Sequence, residues 1–119
     1  MSDSQLTYLV IPARLAEPTF IGQCPTSFTL PFMQKAVGGY IELVSLRLAD
    51  MFINEEGKLQ DLPVNVRATH LAWHNKAIAI DDVINGNSIL FGKCDSEGNT
   101  TSITAEFRSH LIKVLGGHA

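Results

Sequence analysis

MQKAVGGYIELVSLRLADMFINEEGKLQDLPVN, residues 33–65, carries in order the end of a helix, a double glycine, two strands, a tight turn and the start of a second helix. Gly38-Gly39 supplies the left-handed turn that ends a helix and that a Cβ would resist. Leu30, Met33 and Val37 share one face of that first helix, with Thr29 the expected cap and Pro31 tolerated in the opening turn. Beyond the glycines, 40–48 reads as a strand whose alternation changes phase. Ile41 and Leu43 mark one face, then Val44, Leu46 and Leu48 the other. The slip predicts a β-bulge near Leu43-Val44 that would turn Glu42 and Arg47 away from the apolar set. A strand over 51–53 leads into Asn54-Glu55-Glu56-Gly57-Lys58, a turn in which Gly57 suits positive φ. After Leu62-Pro63, Asn65 is placed to cap a helix to about Lys76, with Val66, Trp73 and Ala77 on its inner face.

Outward from this stretch, residues 1–5 are a polar, frayed start, and LTYLVIP over 6–12 suits a strand buried on both faces. Pro18, Gly22 and Pro25 make 13–27 loop-like, with Thr19-Phe20-Ile21 a brief edge strand. On the other side, IAIDDVINGNSILF over 78–91 predicts a hairpin turning at Asn85-Gly86. Thr101 or Ser102 then caps a last helix, whose stripe of Ile103, Phe107, Leu111, Val114 and Leu115 ends at Gly116-Gly117. The order strand, helix, two strands, helix, hairpin, helix predicts an α+β fold: a mostly antiparallel sheet of four or five strands, with about three helices packed on one face. Residues 1–119 form one domain, closed by the amphipathic helix of 101–117.

Nine Lys and Arg against twelve Asp and Glu leave a net charge of −3 with no long block of either sign. Phosphate backbones and anionic membranes are met with clustered cations, so neither nucleic acid nor membrane is an expected partner. Two cysteines, Cys24 and Cys94, stand far apart in no metal-binding spacing, and no apolar run or leader pattern is present. A cytoplasmic protein with reduced thiols is expected, a Cys24 to Cys94 disulfide being the less favoured alternative. The charged fraction of 18% is low, which with an outward Ile112 on the last helix suggests a homodimer.

Four segments resemble one family. Residues 34–42 (QKAVGGYIE), 54–59 (NEEGKL), 62–65 (LPVN) with Ala68, and 82–87 (DVINGN) are together similar to the domain of unknown function 3846 family, over roughly 6–93. The last helix lies outside that motif set. The resemblance implies a short protein of bacteriophages, plasmids or their bacterial hosts, and no established activity.

Among residues that could carry chemistry, His70 and His74 have the i, i+4 spacing of metal ligands but lack the acidic residue of HExxH, which leaves them weak metal candidates. His110, in the last helix's stripe, reads as a core or near-core histidine. Glu55 and Glu56 fall on a turn tip, and Asp81-Asp82 lacks the ligand spacing of a calcium loop. Tyr40, Glu42, Arg47 and Arg67 are the candidate ligand-binding residues, the arginines suited to an anion such as a phosphate. No cofactor motif is present. The expected function is therefore a small non-catalytic binding protein of a phage or mobile element. It would act on a host process, host-defence inhibition being one use, through protein contact or small-molecule sequestration. The alternative is a small metal- or histidine-dependent enzyme built on His70, His74 or His110 with an acid such as Asp82.

Overall fold

The computed structural model describes residues 4–119. Five strands form one sheet in the order β2-β1-β5-β4-β3, every neighbouring pair antiparallel. They are β1 (Gln5–Ile11), β2 (Phe20–Pro25), β3 (Ile41–Ser45), β4 (Asp50–Asn54) and β5 (Ser88–Phe91). Three helices complete the α+β fold: α1 (Thr29–Val37), α2 (Val66–His74) and α3 (Ala105–Leu115). Gln5 already belongs to β1, and the backbone N–H of Thr26 donates to the Ser4 carbonyl at 2.9 Å, so these two residues of the expected frayed start are ordered; its other residues, 1–3, lie outside the described part.

The helices do not share one face of the sheet. Met33 and Val37 of α1 pack on Leu6, Val10, Ile89 and Phe91, whereas Leu71, Phe107 and Leu111 of α2 and α3 pack on Leu9, Ile11, Met51 and Leu90. The reason lies in the strands. Alternate residues of β1 and of β5 are apolar on both sides, and a strand greasy on both faces needs a helix layer over each.

The same two-sided cover removes the expected bulge. β3 pairs with β4 residue for residue from Ile41↔Asn54 to Ser45↔Asp50, without an insertion. Ile41 packs against the α1 layer and Val44 into the α2–α3 layer, so the phase change records two cores rather than a bend. Glu42 consequently shares the side of Val44 instead of pointing away from it, exposed because β3 is an edge strand. The β3–β4 turn closes at 46–49, where the Leu46 N–H donates to the Ala49 carbonyl at 3.0 Å.

Local signals placed the end of α1 and the start of α2, but not the N-terminal caps of α1 and α3. Gly38 sits at φ 80° as the left-handed cap of α1. Thr29 is the first residue of α1 and makes no cap; Phe28 precedes it, at the end of a short 3-10 turn. Asn65 caps α2, its Oδ1 accepting from the Ala68 N–H, while Thr104, not Thr101 or Ser102, caps α3 through a bond from the Phe107 N–H. The hydroxyl of Thr101 instead donates to the Lys93 carbonyl at 2.7 Å. The stripe on α3 is as expected, with Ile103, Phe107, Leu111 and Leu115 buried and Val114 at its margin.

Two turns differ. Gly57 is not left-handed; a Cβ there would stand 2.8 Å from the Asn85 carbonyl oxygen, so close approach is what requires glycine. Asn85-Gly86 does not close a hairpin. The Gly86 N–H donates to Pro63, the Asn85 amide to Leu62, and β5 takes β1 and β4 as its partners. The inner face of α2 is also rotated from expectation: Arg67, Ala68, Leu71 and Ala72 are buried, Val66 is exposed, and the Trp73 indole donates to the carbonyls of Ala79 and Asp82.

Candidate functional site

The segments that carry the family resemblance, distant in sequence, meet around the exposed flank of α1. Two adjoining hollows of about 310 and 330 Å³ run along it, sharing Glu17, Lys35, Ala36 and Asn87. One end is aromatic. Tyr8, Phe20 and Phe32 line it over a floor of Val10 and Ile89, with the Tyr8 and Phe32 rings 6.2 Å apart. The other end is mixed, lined by Arg14, Gly38, Leu62, Pro63 and Gly86. Phe20 faces this groove because it pairs with Val10, and directly opposed residues of antiparallel strands share a face.

Lys35 makes no ion pair among the described residues, and Arg14 has only a loose, exposed one with Glu17 at 3.9 Å. Such a pair is worth little in water, so both cations are available to an anion. The groove's wall is built by the fold: Asn87 accepts from the Ala13 N–H at 2.9 Å, tying the 85–87 turn to the end of β1. A third hollow of about 330 Å³ on the far side of Gly38 is lined by Gln34, Tyr40, Asn54, Glu56 and Gln60. Its Asn54 is fully engaged, donating to Val37 and Gln60 and accepting from the Glu56 N–H.

Tyr40, Glu42, Arg47 and Arg67 are not brought into one pocket. Tyr40, 70% exposed, lines the third hollow; Glu42 lies exposed on edge strand β3; Arg47 sits in the β3–β4 turn with its N–H on the Asn75 side chain. Arg67 is only 4% exposed. Its Nη2 donates to the carbonyls of Pro12, Arg14 and Glu17 at 2.7, 3.1 and 2.7 Å, which makes it a pin for the loop after β1. Burial pushes its pKa down, and the Glu17 carboxylate pulls it partly back.

His70 and His74 turn to different partners. The His70 ring lies 5.5 Å from Trp73, and that of His74 5.3 Å from His110. Among the described residues no group of three His, Cys, Asp or Glu side chains is placed to hold a metal. His110, within 3.2 Å of the Asn75 amide, is pushed down in pKa by burial and then by the charges of His74, Arg47 and Lys113. Asp82, the acid an enzyme would need, is held below the usual carboxylate range mainly by its hydrogen bond with Lys58, at 3.0 Å. Cys24 is buried, which raises its thiol pKa, Cys94 is exposed, and both are free.

Two polar constellations escaped the sequence reading. Buried Asp50 pairs with Lys93 at 2.7 Å and takes a weak bond from the Cys94 thiol at 3.7 Å, closing the end of the sheet where β4 and β5 run side by side. The only local hint was a carboxylate opening an apolar strand. The aromatic and cationic groove itself had no such hint, since its residues come from five separate parts of the chain.

A five-stranded antiparallel sheet between two helix layers, with an open groove along the single helix of one layer, defines a small α+β domain. The chain belongs to the family described as Domain of unknown function (DUF3846), whose model matches residues 8–116. That span includes α3, beyond the motif segments. A crystal structure of the small RNA methyltransferase HEN1 is similar in fold, with a TM-score of 0.63 and 13% sequence identity over 97% of this chain and 17% of that one. At that identity the likeness is one of fold, and this chain spans less than a fifth of the other's length. No curated protein matches the chain. Among the described residues, no helix is long and apolar enough to cross a membrane.

Proposed function

We propose that this is a small non-catalytic binding protein that holds its ligand in the groove along α1. In the genomic setting the family implies, it serves a phage or other mobile element by acting on a host process. The observation that carries this reading is the placing of three aromatic rings at one end of the groove, with unpaired Lys35 midway and Arg14, only loosely paired with the Glu17 carboxylate, toward the other. A ligand with a planar or apolar part and an anionic group would be complementary to both ends, whether free or carried on a host protein.

Affinity capture from the native host, with mass spectrometry of bound proteins and small molecules, tests the reading. The wild-type chain is expected to retain a ligand that Lys35→Glu and Phe20→Glu each weaken by about tenfold or more, the effect of losing roughly 1.4 kcal/mol of contact. Both positions are exposed, so the folded state should be unchanged. Retention unaffected by either change, or multiple turnover of any metabolite, would overturn it.

We also propose that two copies associate along β2. This strand, FIGQCP, carries no charge and pairs on one side only among the described residues. Ile21 and Ile112, the latter 61% exposed, line one hollow with Leu111 beside that open edge. Light scattering at micromolar concentration should return twice the 13.0 kDa chain mass, and Ile112→Lys should halve it. A wild-type monomer would contradict the proposal.

A further inference from the structure

A separate cleft of about 220 Å³ opens between α2 and the end of α3. Its apolar walls are Leu15, Val66, Val114 and Leu115. The polar groups that line it are Arg67, His70 and His118, each positive whenever it is charged, and no carboxylate is among them. Arg67 is buried and forms no ion pair among the described residues. Its three hydrogen bonds all leave from Nη2, and Nε is buried without an acceptor. The carboxylate whose charge acts on it, that of Glu17, is exposed and pairs loosely with Arg14 at 3.9 Å.

A buried guanidinium is ordinarily met by a carboxylate through two parallel bonds, because its fork of donors matches that group in shape and charge. Here backbone carbonyls engage one nitrogen and supply no counter-charge. We infer that the cleft binds a small carboxylate with an apolar body, its anionic end held by Arg67 and its apolar end against Val66, Val114 and Leu115. The volume lies below the roughly 300–1,000 Å³ of drug-sized sites, which suits a short acid or the carboxyl-terminal residue of a peptide. None of these residues lines the α1 groove, so this site and the proposed function stand or fall separately.

The test is an amide NMR titration of the full chain with benzoate, with benzamide as the neutral counterpart of the same shape. Benzoate should shift the amides of Val66, His70 and Leu115 with a Kd on the order of millimolar, as suits so small a ligand. Benzamide should bind at least about tenfold more weakly, since it lacks the charge that Arg67 recognises. Val66→Phe, which fills the cleft and leaves the bonds of Arg67 in place, should abolish the benzoate shifts while the rest of the spectrum is retained. Gly-Gly-Leu with a free carboxyl terminus, set against its amide, separates the two sources: tighter binding than benzoate assigns a peptide terminus, weaker binding a free acid. Equal shifts with benzoate and benzamide, shifts located elsewhere, no response, or an unchanged response in Val66→Phe would each overturn the inference.

Discussion

Asn65→Ala is expected to lower the unfolding free energy by about 3–4 kcal/mol, a large part of the roughly 5–15 kcal/mol that holds a domain together. Asn65 is fully buried and uses both ends of its amide. Oδ1 caps α2 at the Ala68 N–H, 3.0 Å away, and Nδ2 donates to the carbonyls of Ile11 at 2.8 Å and Gly86 at 3.0 Å. Losing the cap alone costs about 1 kcal/mol, and each buried carbonyl left without its donor adds about as much again or more. Asn65→Ser separates the parts, because a hydroxyl can still cap the helix but cannot reach both carbonyls. It should recover only about 1 kcal/mol in equilibrium urea denaturation. If serine restored nearly all of the stability, the two long-range bonds would count for little.

Arg67→Met should cost about 2–3 kcal/mol and expose the loop after β1 to protease. Two effects oppose one another. Methionine relieves the desolvation that depresses the arginine's pKa, yet it strands three carbonyls that the guanidinium had gathered. Hydrogen bonds from a charged donor are worth about 1.5–3 kcal/mol each, so their loss outweighs the relief. Trypsin cleavage after exposed Arg14 provides the local readout, with at least about a tenfold rise in rate expected, since a tenfold larger open population corresponds to only 1.4 kcal/mol. Arg67→Lys should rescue in part, because a single ammonium cannot reproduce the planar fork. An unchanged cleavage rate in Arg67→Met would show that the loop does not depend on the pin.

These two neighbouring residues show how far local reading reaches. Asn65 was recognisable as a cap because Leu62-Pro63 breaks the chain just before it and a helix-forming run follows. Its amide's reach to β1 and to the Gly86 turn left no local trace. Arg67 read as a surface anion binder, the ordinary place for arginine. It is buried because the loop of 12–17 folds over it and presents carbonyls, a fact about residues some fifty positions away. Of the four candidate ligand residues, Tyr40 lies in a pocket and Arg67 lines the cleft between α2 and α3, but the Arg14 and Lys35 end of the α1 groove was not foreseen.

The strands teach the same lesson. Asn85-Gly86 is a strong hairpin signal, and yet β5 ignores the segment before it, because the two slots beside it are filled by β1 and β4, whose apolar residues complete both cores. The Ile41-to-Leu48 pattern looked like a bulge as long as one helix layer was assumed. With a layer on each face, Ile41 to Ser45 fit an unbroken ladder, and Leu46 and Leu48 belong to the turn that follows.

Of the opening stretch, the helix stop at Gly38 and the cap at Asn65 could be read from the chain alone, as could the apolar stripe of α3 further on. Each depends on dihedral preferences, hydrogen bonds or spacing within a few residues. Which face of the sheet α1 covers, what β5 pairs with, why Gly57 must lack a side chain and how the groove is assembled were set by long-range packing. They depend on which distant segment best satisfies buried carbonyls and apolar surface, a competition settled between parts of the chain that have no sequence signal in common.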